Sequence, residues 1–287
     1  MSAGLDAAAP DDLGGVTLAF HTLAPLEPLR RAQVARAAGF TSIGLSLSWL
    51  RDWLAAGHSL AELEDLCAEA GVVVGELEAL RPFGAAPDAA EDLCWSAADR
   101  LRVPYVGALG SYEGGLDEAA ARFAALCDRA AGVGGGGGVV VGIEFLPFTN
   151  LPDAATAASV VRAAGRANGG ICVDVWHVYR GGQTLDDLTA GIWPSVVRVQ
   201  LSDGPLVAED DDLLADCLAN RRPPGDGEFD LAGVLTAATR YCPQAGMSIE
   251  VLSNRLRAQP PAEVLPLLAG RLRSLLGDRD HRRRPLL

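Results

Sequence analysis

The chain has no lysine; all 24 of its basic residues are arginines. Chemistry through a Schiff-base amine, or through a pyridoxal-type cofactor anchored on lysine, is therefore excluded. Positive charge is scarce overall. The formal net charge of -13 repels a phosphate backbone, and no arginine stripe with interleaved aromatics offsets it, so nucleic acid is not an expected partner. The one basic cluster, His281-Arg282-Arg283-Arg284, is expected to be a solvated tail. None of the six cysteines has C-x-x-C spacing, which excludes a zinc knuckle or a thioredoxin-like motif and leaves reduced core thiols as the expectation. No apolar run approaches the ~18 residues needed to span a bilayer, and the N-terminus has no charged n-region followed by an apolar h-region. A cytoplasmic protein without membrane contact is expected.

What is present suits a packed interior: 49% of the residues are hydrophobic and 21% charged. Short β-branched runs alternate with stretches of helical period, the pattern of repeated βα units. Strands are predicted over 16–20, 42–47, 72–78, 105–109, 139–144, 171–174, 196–201 and 247–251. Helices are predicted over 26–38, 60–70, 89–101, 116–130, 154–167, 184–190, 231–241 and 262–276, with Gly or Pro at most junctions. Eight such repeats predict an α/β fold, a single-domain (β/α)8 TIM barrel over residues 15–277, with a flexible segment 1–14 before it and a tail 278–287 after it. The glycine run 134–138 precedes a strand instead of following one, so it is expected to be a flexible connector and not a phosphate cradle. The long connection 203–229 leaves the catalytic face and is expected to act as a lid or binding loop.

In such a barrel the active site gathers at the C-terminal strand ends. Four consecutive strands finish on a polar residue: Glu144, Asp174 (with His177 three residues on), Gln200 and Glu250. With side chains alternating faces, inward placement of these four turns Ile143, Phe145, Val173, Val175, Val199, Leu201, Ile249 and Val251 toward the helices, and every outward slot is apolar. Three carboxylates converging on one mouth repel one another unless a cation intervenes. The expected ligand set is Glu144, Asp174, Gln200 and Glu250 around one divalent ion, Mn²⁺ or Mg²⁺ by the oxygen chemistry, with Co²⁺ and Zn²⁺ as alternatives and no organic cofactor. His21 and Glu78 take wall positions at strand ends, Arg180 and Arg222 flank the mouth as clamps for an anionic group, and Trp176 and Phe148 offer an apolar wall. Arg198 shares parity with Gln200 one layer deeper and needs a partner, for which Glu76 is the candidate.

The motifs Gly142-Ile143-Glu144, Asp174-x-x-His177, Gln200-Leu201-x-Asp203, the loop from Pro224 through Gly225, Gly227 and Glu228 to Asp230, and Ile249-Glu250 together resemble the xylose isomerase-like TIM-barrel superfamily. It includes tagatose and psicose 3-epimerases, hydroxypyruvate isomerase, inosose dehydratase, 3-dehydroshikimate dehydratase and endonuclease IV. The resemblance implies that Glu144 and Glu250 bind the metal on opposite faces of the substrate and act as the acid/base pair. It places His177 against the substrate's oxygen functions and Asp203 in the binding loop. The family's strand-seven ligand is usually histidine; Gln200 departs from it and tilts the expectation toward a lyase. The function implied first is a metal-dependent isomerase or epimerase acting on a small polyhydroxylated keto compound, a sugar or cyclitol, through an enediolate. The alternative is a dehydratase of the 3-dehydroshikimate or inosose type. Four histidines and an acidic chain argue against the nuclease. A non-catalytic sugar-binding barrel would be recognised by Glu144 and Glu250 tied to Arg198 or Arg180. Oligomerisation is left open.

Overall fold

The computed structural model describes residues 13, 15–81, 88–112, 114–133 and 138–282. The expected N-terminal segment (except Leu13), most of the glycine connector and residues 283–287 lie outside the described residues. Eight parallel strands form a closed barrel in sequence order, β1 pairing with both β2 and β8. In chain order the elements are β1 (Thr17–Leu18), α1 (Pro28–Ala37), β2 (Ser42–Ser46), α2 (Leu47–Ala55), α3 (Leu60–Ala70), β3 (Val73–Leu80) and α4 (Ala89–Arg100). There follow β4 (Tyr105–Leu109), α5 (Leu116–Ala131), β5 (Val140–Glu144), α6 (Ala154–Ala164), β6 (Gly169–Asp174), α7 (Val175–Arg180) and β7 (Val196–Leu201). The chain continues through α8 (Leu213–Ala219), α9 (Leu231–Tyr241), β8 (Gly246–Ile249), α10 (Asn254–Arg257) and α11 (Pro261–Arg282). This is the expected (β/α)8 TIM barrel.

Acidic residues explain several helix starts. Asp88 accepts from the Ala90 and Glu91 amides at 2.9 and 3.0 Å, and Asp153 accepts from Thr156 at 2.7 Å. Each such cap satisfies an otherwise orphaned amide and contributes roughly 0.5–2 kcal/mol. All eight expected outward side chains, from Ile143 to Val251, are 0% exposed, so the strand parity read from the sequence is the one observed. Along α11, Val264, Leu265, Leu268, Ala269 and Leu272 are buried at helical spacing against the barrel. All six cysteines are buried and free. No described helix is long and apolar enough to cross a membrane.

The structure departs from expectation at residues 184–190 and at the short helices α2, α7, α8 and α10. Residues 184–190 form turns, because the Asp187 carboxylate takes both the amide and the hydroxyl of Thr184 at 2.7 and 2.9 Å and closes a local ring in place of a helical turn. The chain after β2 goes directly into α2, a helix the sequence reading left out. The long connection 203–229, expected to be a lid or binding loop, is an ordered fold-back whose Leu214, Leu218 and Arg221 line the barrel mouth: it contains α8 and is pinned by backbone pairing of Asp203 with Arg222 and of Asn220 with Ser253. The buried Asp203 carboxylate organises it by accepting from the amides of Gly204, Gly225 and Phe229 at 2.8, 2.8 and 3.1 Å.

Candidate active site

A cavity of about 1040 Å³ opens at the C-terminal end of the barrel. Its floor is built at the ends of β5 to β8. Asp174 terminates β6 and simultaneously caps α7, its Oδ1 accepting from the Trp176 amide at 2.8 Å, which fixes the carboxylate and leaves Oδ2 free for other partners. The first turn of α7 then brings His177 round, so that its Nε2 stands 3.0 Å from Glu144 Oε1 and 3.4 Å from Asp174 Oδ2. Glu144, Asp174 and His177 offer ligand atoms that all lie within 4.8 Å of one another. Two carboxylate oxygens and an imidazole nitrogen, convergent, with Asp174 and His177 buried and Glu144 partly so, are a donor set that fits a divalent cation.

The other two expected ligands are engaged elsewhere. Gln200 is buried, its Oε1 accepting from the Cys172 thiol and its Nε2 donating to Glu78 Oε1, each at 3.2 Å. Glu250 is reached by Arg221, whose Nη1 stands 2.7 Å from Asp174 Oδ2, 3.1 Å from Glu250 Oε2 and 3.3 Å from the Glu250 carbonyl oxygen. Sequence reasoning missed Arg221 and chose its neighbour. The antiparallel bridge to Asp203 turns Arg222 outward to Glu209 at 2.6 Å, so the two adjacent arginines point opposite ways. The pair Arg221-Arg222 in an otherwise acidic loop was the available signal, but not which of the two turns inward.

Of the remaining expected substrate contacts, His21, Glu78 and Phe148 line the cavity. Trp176, Arg180, Asp203 and Arg222 do not. Trp176 is fully buried, with the Arg180 and Arg221 guanidinium groups each 5.4 Å from its ring. Arg180 binds Asp216 and the Pro205 carbonyl, both at 2.7 Å, and so anchors the fold-back instead of a ligand. Arg198 lies inside the barrel, 3.6 Å from Glu76 and 4.2 Å from the Tyr105 ring centroid. Neither Arg198 nor Arg180 ties up Glu144 or Glu250.

Electrostatics separate the acids. Burial pushes Glu250 up to about 8, opposed by Arg221 and aided by Glu144 and Asp174, so its carboxyl holds a proton at neutral pH. Burial, with Glu250, Glu76 and Glu144 nearby, likewise holds Glu78 well above the usual carboxylate range. His21 is lowered to about 4 by burial and then by the guanidinium groups of Arg81, Arg257, Arg31 and Arg221, and is neutral at pH 7.

A family model described as a xylose isomerase-like TIM barrel matches residues 32–273. A 3-dehydroshikimate dehydratase of Pseudomonas aeruginosa is 32% identical over 128 residues, a match covering 43% of this chain and 19% of that protein. The chain thus spans about a fifth of that relative's length. Among solved structures, a xylose isomerase domain protein from Alicyclobacillus acidocaldarius superposes with a TM-score of 0.72 at 22% identity, covering 91% of this chain and 98% of that one. The protein IolI with a bound zinc atom gives 0.74 at 18% identity, over 92% and 98%. D-Psicose 3-epimerase with D-tagatose from Clostridium cellulolyticum gives 0.64 at 14%, over 93% and 98%. At these identities the structures share the fold.

Proposed function

The chain belongs to the xylose isomerase-like TIM barrel family, and from that premise we propose that it is a divalent-metal-dependent dehydratase acting on a small polyhydroxylated carbonyl compound. The observation that carries this reading is the convergence of Glu144, Asp174 and His177, with Glu144 and His177 lining the cavity and Glu250 lining it from the end of a different strand. Glu144, Asp174 and His177 are the metal-holding residues, with Gln200 as a further candidate. A divalent cation held there supplies Lewis-acid stabilisation of the negative charge that develops on the carbonyl oxygen, with Mn²⁺ or Mg²⁺ matching a donor set dominated by oxygen.

The chain's own residues perform the proton transfers. Glu144 takes the proton from the carbon beside the carbonyl, oriented by its 3.0 Å contact with His177. The C–O bond to the β-hydroxyl breaks, its oxygen takes the proton held by Glu250, and water leaves. A C=C bond conjugated with the carbonyl remains, and the two carboxyls return to their starting states by exchange with solvent. Arg221 keeps Asp174 and Glu250 in register while this happens. The sequence likeness to a 3-dehydroshikimate dehydratase supports elimination as the outcome.

One feature favours a second reading, epimerisation. Glu144 and Glu250 stand at the ends of β5 and β8, which are not neighbours in the barrel, an arrangement suited to returning a proton on the opposite face. Incubating the Mn²⁺-loaded enzyme in D₂O with 3-dehydroshikimate, an inosose and ketohexoses separates the two. Dehydration produces a new ultraviolet chromophore, whereas epimerisation exchanges a proton without one. Neither signal with any of these substrates overturns the assignment.

A further inference from the structure

Glu144 and Glu250 lie on the cavity floor, whereas the lining near β1, β3 and β8 carries His21, Arg81 and Arg257; Asp52, also on the lining, is paired with Arg51. Arg221 belongs to the floor, because Asp174 takes its charge and Glu250 accepts a further hydrogen bond from it. Arg257 is different. Its Nε and Nη2 donate to the His21 carbonyl oxygen at 3.0 and 2.6 Å, and its Nη1 donates to the Leu218 carbonyl oxygen at 2.9 Å. Among the described residues no carboxylate lies within ion-pair distance of it. Carbonyl dipoles fix a guanidinium in place but leave its unit charge uncompensated. Three of its five N–H donors are used in this way, and two are left.

The same contacts make Arg257 rigid. It ties α10 to the single 3-10 turn Phe20–Thr22 after β1 and to the end of α8, so the loops after β1, β7 and β8 meet on one side chain. The field it helps to set registers on His21, whose lowered pKa has Arg81 and Arg257 as its largest causes after burial. A small sugar needs no such charge at the mouth, and the acids below make no direct contact with it.

We propose that the substrate carries a carboxylate, held by the two remaining N–H donors of Arg257, with Arg81 adding long-range attraction and the neutral His21 imidazole lining the same rim. One uncompensated guanidinium matches one singly charged group, and the N–H left on each of Nη1 and Nη2 offers a carboxylate two donors. The inference rests on the reading of this cavity as the site of the dehydration, but it is tested by binding alone.

The probes are 3,4-dihydroxybenzoate, the aromatic acid left when a 3-dehydroshikimate ring loses water, and catechol, the same diol without the carboxylate. Titration calorimetry on the full chain loaded with stoichiometric Mn²⁺ is expected to show the acid bound about 10- to 100-fold more tightly, the span of one charge-assisted hydrogen-bonded contact. Arg257→Gln, which can still donate to the neighbouring carbonyls, should lose most of that preference and leave the catechol affinity within about twofold. Equal wild-type affinities for the two probes, or a parallel loss of both in Arg257→Gln, overturn the proposal. If Arg257→Gln does not fold, Arg257→Lys decides: it keeps the charge but not the forked donors, and its acid preference should fall about fivefold, an unchanged preference being the refuting result. Acid preference without turnover of any carbonyl substrate sinks the dehydratase reading and leaves this subsite standing. Dehydration of a neutral ketohexose, read by its new ultraviolet chromophore, without acid preference does the reverse.

Discussion

Replacing Arg221 with methionine tests the electrostatic design of the floor. The Arg221 side chain is 2% exposed and that of Asp174 0%, with 2.7 Å between the two charged groups. Glu250 holds a proton up to about pH 8, so at neutral pH the charge left behind by the substitution is that of Asp174. Breaking a buried pair from one side leaves an uncompensated ion and costs about 3–5 kcal/mol. At roughly 2–4 °C per kcal/mol for a chain of this size, the melting temperature should fall by about 6–20 °C. The measurement is urea unfolding of wild type and Arg221→Met in EDTA at pH 7. A deficit below about 1 kcal/mol refutes the reasoning.

Three further outcomes are expected. Glu144→Gln should lower kcat by about 10²- to 10⁴-fold with an unaltered far-ultraviolet circular dichroism spectrum, as fits loss of a general base. If Glu250 delivers the proton to the leaving hydroxyl, kcat should decline as the pH rises through about 8, where its acid form is lost, and the residual activity of Glu250→Gln should lack that limb. The same raised pKa means that the folded state is favoured at low pH by this group and loses that contribution between the ordinary glutamate range and about 8, which pH-dependent unfolding in EDTA would register. Gln200→His should bind Mn²⁺ at least as tightly as wild type in a calorimetric titration; complete loss of binding would exclude position 200 from the ligand shell.

The barrel was legible because each strand is an apolar run bounded by glycine, proline or a polar end, and because the parity around Glu144, Asp174, Gln200 and Glu250 left only apolar side chains facing the helices. Short helices were not: α2, α7, α8 and α10 span too few turns for a period to register, and α2 and α7 follow a strand without a break. The four strand ends were found from position alone. What α7 does with its residues was not, since about 100° of rotation per residue turns His177 into the cavity while Trp176 is buried beneath it and Arg180 faces Asp216. The inward choice of Arg221 over Arg222 depends on pairing across the fold-back, a tertiary fact with no local sequence period. The family resemblance implied isomerisation first with dehydration as the alternative, and the reaction class is not legible in the residues because both begin with the same proton abstraction.

The ion pair inside the barrel constrains how this sequence can drift. A β-carbon placed on Gly246 would lie 2.9 Å from Arg198 Nη1, and one on Gly44 would lie 2.9 Å from Glu76 Oε1. The bulky charged groups of β7 and β3 thus occupy room ceded by bare backbone on β8 and β2. A side chain at either glycine requires its long neighbour to shift, and shortening that neighbour alone opens a hole lined by polar groups. Descendants of this chain should therefore trade Gly246 with Arg198, and Gly44 with Glu76, as linked double changes.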